Sequence, residues 1–298
     1  MQFISSMQPT YGNVRRMTDE LLRRYGFLTR FSIGKSFLGR DISALSVGEA
    51  DDPVVISAGF HGSEWLTGLV LLRFIENMCR TADDGSCLCG IRIRPALFGR
   101  RIVFIPFVNP DGAEIAQCGA SGALRCANFV ASATKDTRHW QANARGVDIN
   151  HNFDAGWQRL RKMEAEQGIN GPAPTRYGGT APESEPETCA LTDFCRAGNV
   201  RHVVALHSQG EVIYWRYGDK MPDRSRKMAE IMAQSSGYAL EDPEGLASLG
   251  GFKDWFIGEF NRPGFTVELG KGQNPLPMSD LDDIYCRVEE MLTLVCLM

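Results

Sequence analysis

Two side chains that can hold a metal ion follow an apolar run in the first quarter of the chain. The run VVISAGF leads directly into His61, and Glu64 follows with the spacing H-x-x-E. Imidazole nitrogen and carboxylate oxygen are ordinary zinc ligands, and a catalytic zinc site takes three protein ligands plus water or substrate. The pair by itself is weak evidence for a metal site, because a histidine beside a helix start is usually a surface or capping residue.

Two further residues of this kind end apolar runs later in the chain. His207 ends HVVALH, and Glu268 lies near the end of GFTVEL. We expect these runs to be buried strands, and the strand ends in an open α/β sheet border the crevice where ligands bind. His61, Glu64 and His207 would then form a His₂Glu metal site with an open position. Glu268 would lie beside it, where a carboxylate can accept a proton from water and hand it to the leaving amine.

The elements that must position these residues alternate between strand-like and helix-like patterns, which predicts an α/β protein. Continuous apolar runs predict buried strands at residues 41–47, 54–59, 101–108, 202–206 and 264–269. Helices are predicted at residues 14–25, 64–80, 185–197, 225–236 and 280–297, with Ser279 as the N-cap of the last. No repeat or linker divides the chain, so we expect one domain over residues 1–298, with a helical segment near residues 1–30 packed on it. Its expected architecture is a mixed, mostly parallel, twisted sheet with helices on both faces.

Two connections are long and rich in small or turn-forming residues. They cover residues 118–137 and 169–186. Long loops in compact enzymes tend to shape a substrate cleft, so we expect both connections to border the active site.

The composition is that of a globular protein without an electrostatic footprint for nucleic acid. The 298 residues carry a net charge of −4, which favours a small or peptide-like partner over nucleic acid or an anionic membrane. The first residues, MQFISSMQPTYGNVRR, lack the basic and apolar segments of a secretory signal, and no apolar run is long enough to span a bilayer. The sequence therefore predicts a cytoplasmic protein without a membrane span.

The nine cysteines are odd in number and scattered, which is not the pattern of a secreted disulfide framework. Cys87 and Cys89 form a C-x-C pair that has no C-x-x-C companion, so a structural zinc site there is disfavoured. We expect most of the cysteines to be reduced thiols that fill the core.

A series of motifs occurs in a fixed order along the chain, and together they resemble the zinc carboxypeptidase family (M14). The segments are IGKSFLGRDISALSVG, SAGFHGSEW, FVNPDG, GVDINHNFDAGW, ALHSQGE, and GGFKDWF followed by FTVELG. The resemblance runs through almost the whole chain. It implies the zinc carboxypeptidase fold, one zinc ion held by His61, Glu64 and His207, and Glu268 as the general base of peptide hydrolysis.

The resemblance also implies roles for two residues around the GVD-x-N segment. Arg145 matches by position the arginine that polarises the scissile carbonyl, where a fixed cation would stabilise the developing negative charge. Asp148 matches the carboxylate that orients the first histidine ligand, here His61, and raises its basicity.

The chain departs from ordinary carboxypeptidases at two places in the substrate pocket. Asn150 and His151 stand where those enzymes carry Asn-Arg, and a histidine cannot reproduce the bidentate clamp of arginine on a C-terminal carboxylate. The usual pocket tyrosine aligns with Leu246. Lys253 matches a position that lines the specificity pocket, where it would favour an acidic group on the substrate; the alternative is a solvated surface lysine.

The segments HSQGE and GGFKDWF resemble the branch of γ-D-glutamyl-(L)-meso-diaminopimelate peptidases, which cut bacterial cell-wall stem peptides. Meso-diaminopimelate carries an extra amine and carboxylate, which suits a pocket containing His151 and Lys253. The resemblance therefore implies a peptide substrate of the muropeptide type. The alternatives are an ordinary metallocarboxypeptidase, a zinc hydrolase of acyl-amino acids, and a peptide-binding module without activity, in which Glu268 would have no use. The scissile bond and the oligomeric state stay open.

Overall fold

An eight-stranded sheet forms the centre of the computed structural model, which describes residue 4 and residues 7–298. Its strands are β1 Thr29–Lys35, β2 Asp41–Gly48, β3 Val54–Ala58, β6 Arg101–Ile105, β7 His202–His207, β8 Val212–Tyr214, β9 Ala239–Leu240 and β10 Gly264–Glu268. β4 (Cys87–Leu88) and β5 (Ile91–Arg92) form a separate small hairpin. The order across the sheet is β1-β2-β6-β3-β7-β10-β8-β9. The central strands β6, β3, β7 and β10 are parallel, whereas β1, β2 and β8 pair in antiparallel fashion with their neighbours towards the centre.

Helices cover both faces of the sheet. They are α1 Tyr11–Arg24, α2 Trp65–Asp84, α3 Ile93–Ala96, α4 Pro110–Cys118, α5 Ala127–Ala133, α6 Trp157–Glu166, α7 Pro186–Ala197, α8 Ser225–Ser236, α9 Phe252–Phe260 and α10 Leu281–Leu297. Short 3-10 turns occur at Gly62–Glu64, Gly119–Cys126, Thr137–His139, Ile149–His151, Gly245–Ser248 and Met278–Asp280. None of the helices in the described ranges combines the length and hydrophobicity needed to cross a bilayer.

The central strands β3, β6, β7 and β10 are mostly apolar because both of their faces are buried. In β3, Val54 and Ile56 belong to the core beneath α1, α2, α8 and α10, whereas Val55 belongs to the core on the other face. Successive side chains of a strand point to opposite faces, so a strand between two helical layers needs an apolar residue at every position. The predicted mixed, mostly parallel sheet with helices on both faces is confirmed.

All five predicted strands and all five predicted helices are present, with ends displaced by a few residues. The first helix begins at Tyr11, and of the predicted N-terminal segment residues 1–3, 5 and 6 lie outside the described part of the chain. The prediction of Ser279 as the N-cap of α10 is wrong. Asp280 occupies that position, and the hydroxyl of Ser279 contacts Asp280 Oδ1 at 3.1 Å inside the preceding 3-10 turn.

Two expectations about loops and cysteines need correction. The connection 118–137 is largely helical, and none of its residues lines the cavity that contains His61, Glu64 and His207. All nine cysteines are free, but only Cys79, Cys195 and Cys296 are buried, so most of them do not fill the core. Cys87, Cys89, Cys118 and Cys286 are exposed, and Cys126 and Cys189 are half-buried. Cys87 and Cys89 belong to no cluster of three potential metal ligands within the described residues.

Candidate metal centre and active site

Three adjacent parallel strands end at the same edge of the sheet and bring the candidate catalytic residues there. β7 ends at His207 and β10 at Glu268, and these two residues are direct neighbours in the register. β3 ends at Ala58, beside Leu206 of β7, and the chain then passes through His61 into α2. Because the carboxyl ends of parallel strands share one edge, residues far apart in the sequence meet there.

Close backbone packing fixes the loop between β3 and α2. The Gly62 N–H donates to Gln141 O at 3.0 Å, and a Cβ atom at Gly62 would lie only 2.2 Å from Gly112 O. The side chain of Asn109 donates to Phe60 O at 3.0 Å and accepts from the N–H of Gly112 at 2.8 Å. The NPDG segment therefore serves to hold the ligand loop in place, and only glycine fits at the contact between the two loops.

The ligand atoms of His61, Glu64 and His207 lie within 4.8 Å of one another. His61 Nδ1 is 2.8 Å from Glu64 Oε1, and His207 Nδ1 is 3.2 Å from Glu64 Oε2. Both histidines therefore direct the same ring nitrogen to one carboxylate. Two imidazoles and a carboxylate that converge beside a cavity are a donor set that suits zinc, with room for a further ligand.

The electrostatics of the cluster favour the metal-binding protonation states of Glu64 and His207 but not of His61. Burial lowers the pKa of His61, but the carboxylates of Glu64 and Asp148 raise it well above its usual value, so metal binding must release a proton from His61. Burial raises the pKa of Glu64, but the opposing effect of His61 and His207 is larger, so the pKa falls to about 2. Burial lowers the pKa of His207 below its usual value. A charged carboxylate and a neutral imidazole are the forms that coordinate a cation.

Two residues outside the cluster contact the ligands and restrict their orientation. Asp148 Oδ1 lies 3.0 Å from His61 Nε2, the ring nitrogen that faces away from Glu64. Such a carboxylate fixes the tautomer and the ring orientation of a metal-binding histidine. On the other side, Asn274 Nδ2 lies 3.4 Å from Glu64 Oε1 and donates to Ser208 O at 2.6 Å.

Glu268 lies beside the cluster and borders the same cavity. Burial, followed by the neighbouring Glu64 carboxylate, raises the pKa of Glu268 to about 8, although His61 acts in the opposite direction. A cation held next to a carboxylate favours its charged form and lowers its pKa again. Glu268 is therefore placed where a carboxyl group can accept a proton and later return it near neutral pH.

The cavity has a volume of about 470 Å³ and is lined mainly by polar side chains. Besides the three ligands and Glu268, these include Gln141, Asn150, His151, Arg176, Lys253 and Asn274. A second hollow of about 540 Å³ shares Leu249 and Asp254 with it. The two hollows therefore adjoin each other at these residues.

The structure brings most of the substrate-binding candidates to this cavity, but it places Arg145 outside. The Arg145 guanidinium lies over the ring of Phe37, 5.2 Å from its centroid, and its Nε is 3.7 Å from Glu185 Oε2. Arg145 does not line the cavity, so its position does not support the carbonyl-polarising role that the resemblance implied. Leu246 lies in a 3-10 turn and does not line the cavity either.

Lys253 and His151 border the cavity, and each contacts an acidic side chain of the protein. Lys253 is buried, forms an ion pair with Asp254 and donates to Arg216 O at 2.6 Å, so the alternative of a solvated surface lysine is wrong. His151 Nδ1 lies 2.9 Å from Glu164 Oε1 and 3.0 Å from the carbonyl of Arg176. Burial alone would lower the pKa of His151, but Asp148 and Glu164 raise it.

Sequence reasoning missed Gln141, Arg176 and Asn274, all of which line the cavity. Arg176 lies in the connection 169–186, which was expected to shape the cleft and does so. Asn274 lies in the polar loop GKGQNP, which directly follows the strand that ends at Glu268. A polar residue just after the carboxyl end of a parallel strand is a signal that could have indicated Asn274.

The fold and the site together define a class of protein, the α/β metallohydrolases with a His₂Glu centre and a glutamate at the carboxyl edge of the sheet. The profile of the zinc carboxypeptidase family, peptidase M14, matches residues 14–290. The chain therefore belongs to this family of zinc metallopeptidases, as the sequence motifs predicted.

Several known proteins are similar to this chain over most of its length. Gamma-D-glutamyl-L-diamino acid endopeptidase 1 of Lysinibacillus sphaericus is 34% identical over 283 residues, which cover 93% of this chain and 70% of that protein. Carboxypeptidase B of Bos taurus is 27% identical over 262 residues, covering 81% and 58% respectively. The structure of carboxypeptidase A from Helicoverpa armigera superposes with a TM-score of 0.75 at 20% identity, covering 98% of this chain and 73% of the other. This last similarity supports the fold.

Proposed function

We propose that this zinc metallopeptidase hydrolyses the bond between a γ-linked D-glutamyl residue and a diamino acid in bacterial cell-wall peptides. The observation that carries the reaction is the convergence of His61, Glu64 and His207, with ligand atoms within 4.8 Å, beside Glu268 in a polar cavity. The similarity to the endopeptidase of Lysinibacillus sphaericus supports the substrate class. The histidine at position 151, in place of an arginine clamp, supports a substrate other than an ordinary C-terminal residue.

In this proposal His61, Glu64 and His207 would hold one zinc ion, which would supply Lewis acidity for hydrolysis of the peptide bond. Asp148 keeps His61 in the tautomer that leaves Nδ1 free for the metal. Glu268 takes up the proton of the attacking water and delivers it to the leaving amine.

The remaining lining residues hold the substrate. Asn150 lines the cavity, and its Oδ1 already accepts from the N–H of Phe252 at 3.1 Å, which leaves its amide group to donate. Lys253 has three N–H groups, of which Asp254 and Arg216 use two, so it offers a hydrogen bond to a polar substrate group. Nδ1 of His151 is engaged by Glu164 and Arg176, which leaves Nε2 for the substrate.

The experiment compares hydrolysis of L-Ala-γ-D-Glu-meso-diaminopimelate with hydrolysis of hippuryl-type C-terminal substrates by the zinc-loaded protein. Products are identified by mass spectrometry, and elemental analysis is expected to give one zinc per chain. Cleavage of the γ-D-Glu–diaminopimelate bond should fall at least 100-fold in Glu268→Gln, because general base catalysis contributes about that much or more. Glu259→Gln, which changes an exposed partner of Arg196, is the matched control and should retain full activity.

Other outcomes of this experiment separate the alternatives. Cleavage of hippuryl substrates only would contradict the cell-wall substrate and identify an ordinary carboxypeptidase. With acyl-amino acids included as a third class of substrate, turnover of these alone would identify an acyl-amino-acid hydrolase. The cytoplasmic location stays a prediction of the sequence, which fractionation of the source cells would test.

A further inference from the structure

Lys253 and His151, which both border the cavity, each have an acidic partner. Lys253 forms a buried ion pair with Asp254. His151 contacts Glu164 at 2.9 Å. None of these residues therefore offers an uncompensated positive charge to a substrate.

Arg176 differs from these cations. Its side chain is exposed and lines the cavity together with the metal-binding residues. Within residues 7–298, the guanidinium of Arg176 has no hydrogen bond or ion pair to another side chain or to a carbonyl. An arginine on an open surface is often solvated in this way, but Arg176 faces the space that the substrate must enter.

The backbone of Arg176 is fixed on both sides in a conformation that arginine rarely adopts. Its φ angle is +66°, in the left-handed region, which costs a non-glycine residue about 1 kcal/mol. The N–H of Arg176 donates to Asp148 Oδ2 at 3.0 Å, and its carbonyl lies 3.0 Å from Nδ1 of His151. These contacts hold the residue in place despite the strain.

The same contacts tie the position of Arg176 to the metal centre. Asp148 Oδ2 accepts from Arg176, while Asp148 Oδ1 contacts Nε2 of the ligand His61 at 3.0 Å. The Asp148 carboxylate thus fixes both the ring orientation of His61 and the backbone position of Arg176. The distance between the scissile bond and a group bound by Arg176 is thereby restricted.

We propose that Arg176 binds a carboxylate of the substrate and thereby determines specificity for acidic peptides; this inference rests on the proposed function. A guanidinium offers a planar fork of donors that matches a carboxylate. A γ-linked D-glutamyl residue keeps a free α-carboxylate, and the diamino acid carries carboxylates of its own. Arg176 supplies the anion-binding charge that Lys253, already paired with Asp254, does not.

The test uses Arg176→Ala, Arg176→Lys and the wild-type zinc enzyme with three substrates. These are L-Ala-γ-D-Glu-meso-diaminopimelate, its analogue with the α-carboxylate of glutamate converted to an amide, and its analogue with the diaminopimelate carboxylates converted to amides. We expect Arg176→Ala to lower kcat/KM for the parent peptide about 10- to 100-fold, the loss expected for a charge-assisted pair. Arg176→Lys should recover part of that loss because it keeps the charge.

The amide that replaces the bound carboxylate should be a poor substrate for the wild-type enzyme, and Arg176→Ala should cleave it no less well than the wild type does. For the other amide, Arg176→Ala should lower kcat/KM as much as it does for the parent peptide. The comparison of the two amides therefore identifies the substrate carboxylate that Arg176 binds. Zinc affinity should be unchanged in the variants. Arg138→Ala, which removes an exposed arginine paired with Asp136, is the matched control.

Equal losses of Arg176→Ala on all three substrates, or no loss on any of them, would overturn the proposal. Should the wild-type enzyme cleave only ordinary C-terminal peptides, the proposed function fails separately. In that case, Arg176→Ala and the wild type are compared on hippuryl-phenylalanine and on its C-terminal amide. A loss confined to the free acid would retain the role of Arg176, and equal losses would refute it.

Discussion

Asp148→Asn replaces the carboxylate that connects His61 with the surrounding loop. The contacts of Asp148 in the structure allow the effect of this change on zinc binding to be predicted. Oδ1 of Asp148 contacts Nε2 of His61 at 3.0 Å and accepts from the N–H of Asn150 at 3.2 Å. Oδ2 accepts from the N–H of Arg176 at 3.0 Å. All three partners can be donors, so a buried side chain with two acceptor atoms is required at this position.

An amide at this position leaves a donor facing a donor in either orientation. If its NH₂ group faces Arg176, a partly buried backbone N–H loses its acceptor, which costs about 1 kcal/mol of folding free energy. If the NH₂ group faces His61, the imidazole must accept at Nε2, so that its proton moves to Nδ1 and blocks the nitrogen that faces Glu64. Loss of such an outer contact lowers metal affinity about 10- to 100-fold, or about 1.4–2.8 kcal/mol.

The assay is zinc binding by competition with a chromophoric chelator, with thermal unfolding of the metal-free protein in parallel. We expect the dissociation constant of Asp148→Asn to rise at least tenfold. Asp136→Asn, at an exposed carboxylate paired with Arg138, should bind zinc like the wild type. A dissociation constant within twofold of the wild-type value would refute the assignment of Asp148 as the group that orients His61.

Two further predictions concern the ligand Glu64 and the stability of the fold. Asn274→Ala removes an amide that lies 3.4 Å from Glu64 Oε1 and binds Ser208 O, so zinc should be lost to excess chelator about ten times faster; an unchanged rate would contradict this contact. Burial lowers the pKa of His202 to about 4, so the unfolded chain binds a proton that the folded chain excludes between about pH 6.5 and 4, and stability falls as the pH drops through this range. In urea titrations of the metal-free protein, the unfolding free energy should fall about 2 kcal/mol less for His202→Asn than for the wild type between pH 7 and 4.5, and equal losses would refute this.

The sequence predicted the elements that depend on burial pattern. β3, β7 and β10 lie between two layers of helices, and their continuous apolar runs are a direct consequence of burial on both faces. β1 was missed because its residues are mostly exposed or half-buried, as expected for an edge strand. The small and turn-forming residues of the connection 118–137 predict a loop, but the segment folds into short helical turns.

The candidate site was predicted in part. His61, Glu64, His207 and Glu268 could be selected because each lies at or just after the end of an apolar run. Arg145 matches a catalytic arginine by its position in the motif, but the structure directs its side chain towards Phe37 and Glu185. The direction of a side chain at a loop position follows from its packing partners, and these lie far away in the sequence.

The sequence by itself determined the fold class, the family and the residue types of the metal centre, because burial periodicity and motif order are local properties of the chain. Only the tertiary structure decided which charges remain available in the cavity. Asp254 neutralises its neighbour Lys253 only because both are buried together, and the loop 169–186 returns to the cavity to place Arg176 beside Asp148. A charge is compensated by whatever lies within a few ångströms, and that proximity is a property of the packed fold.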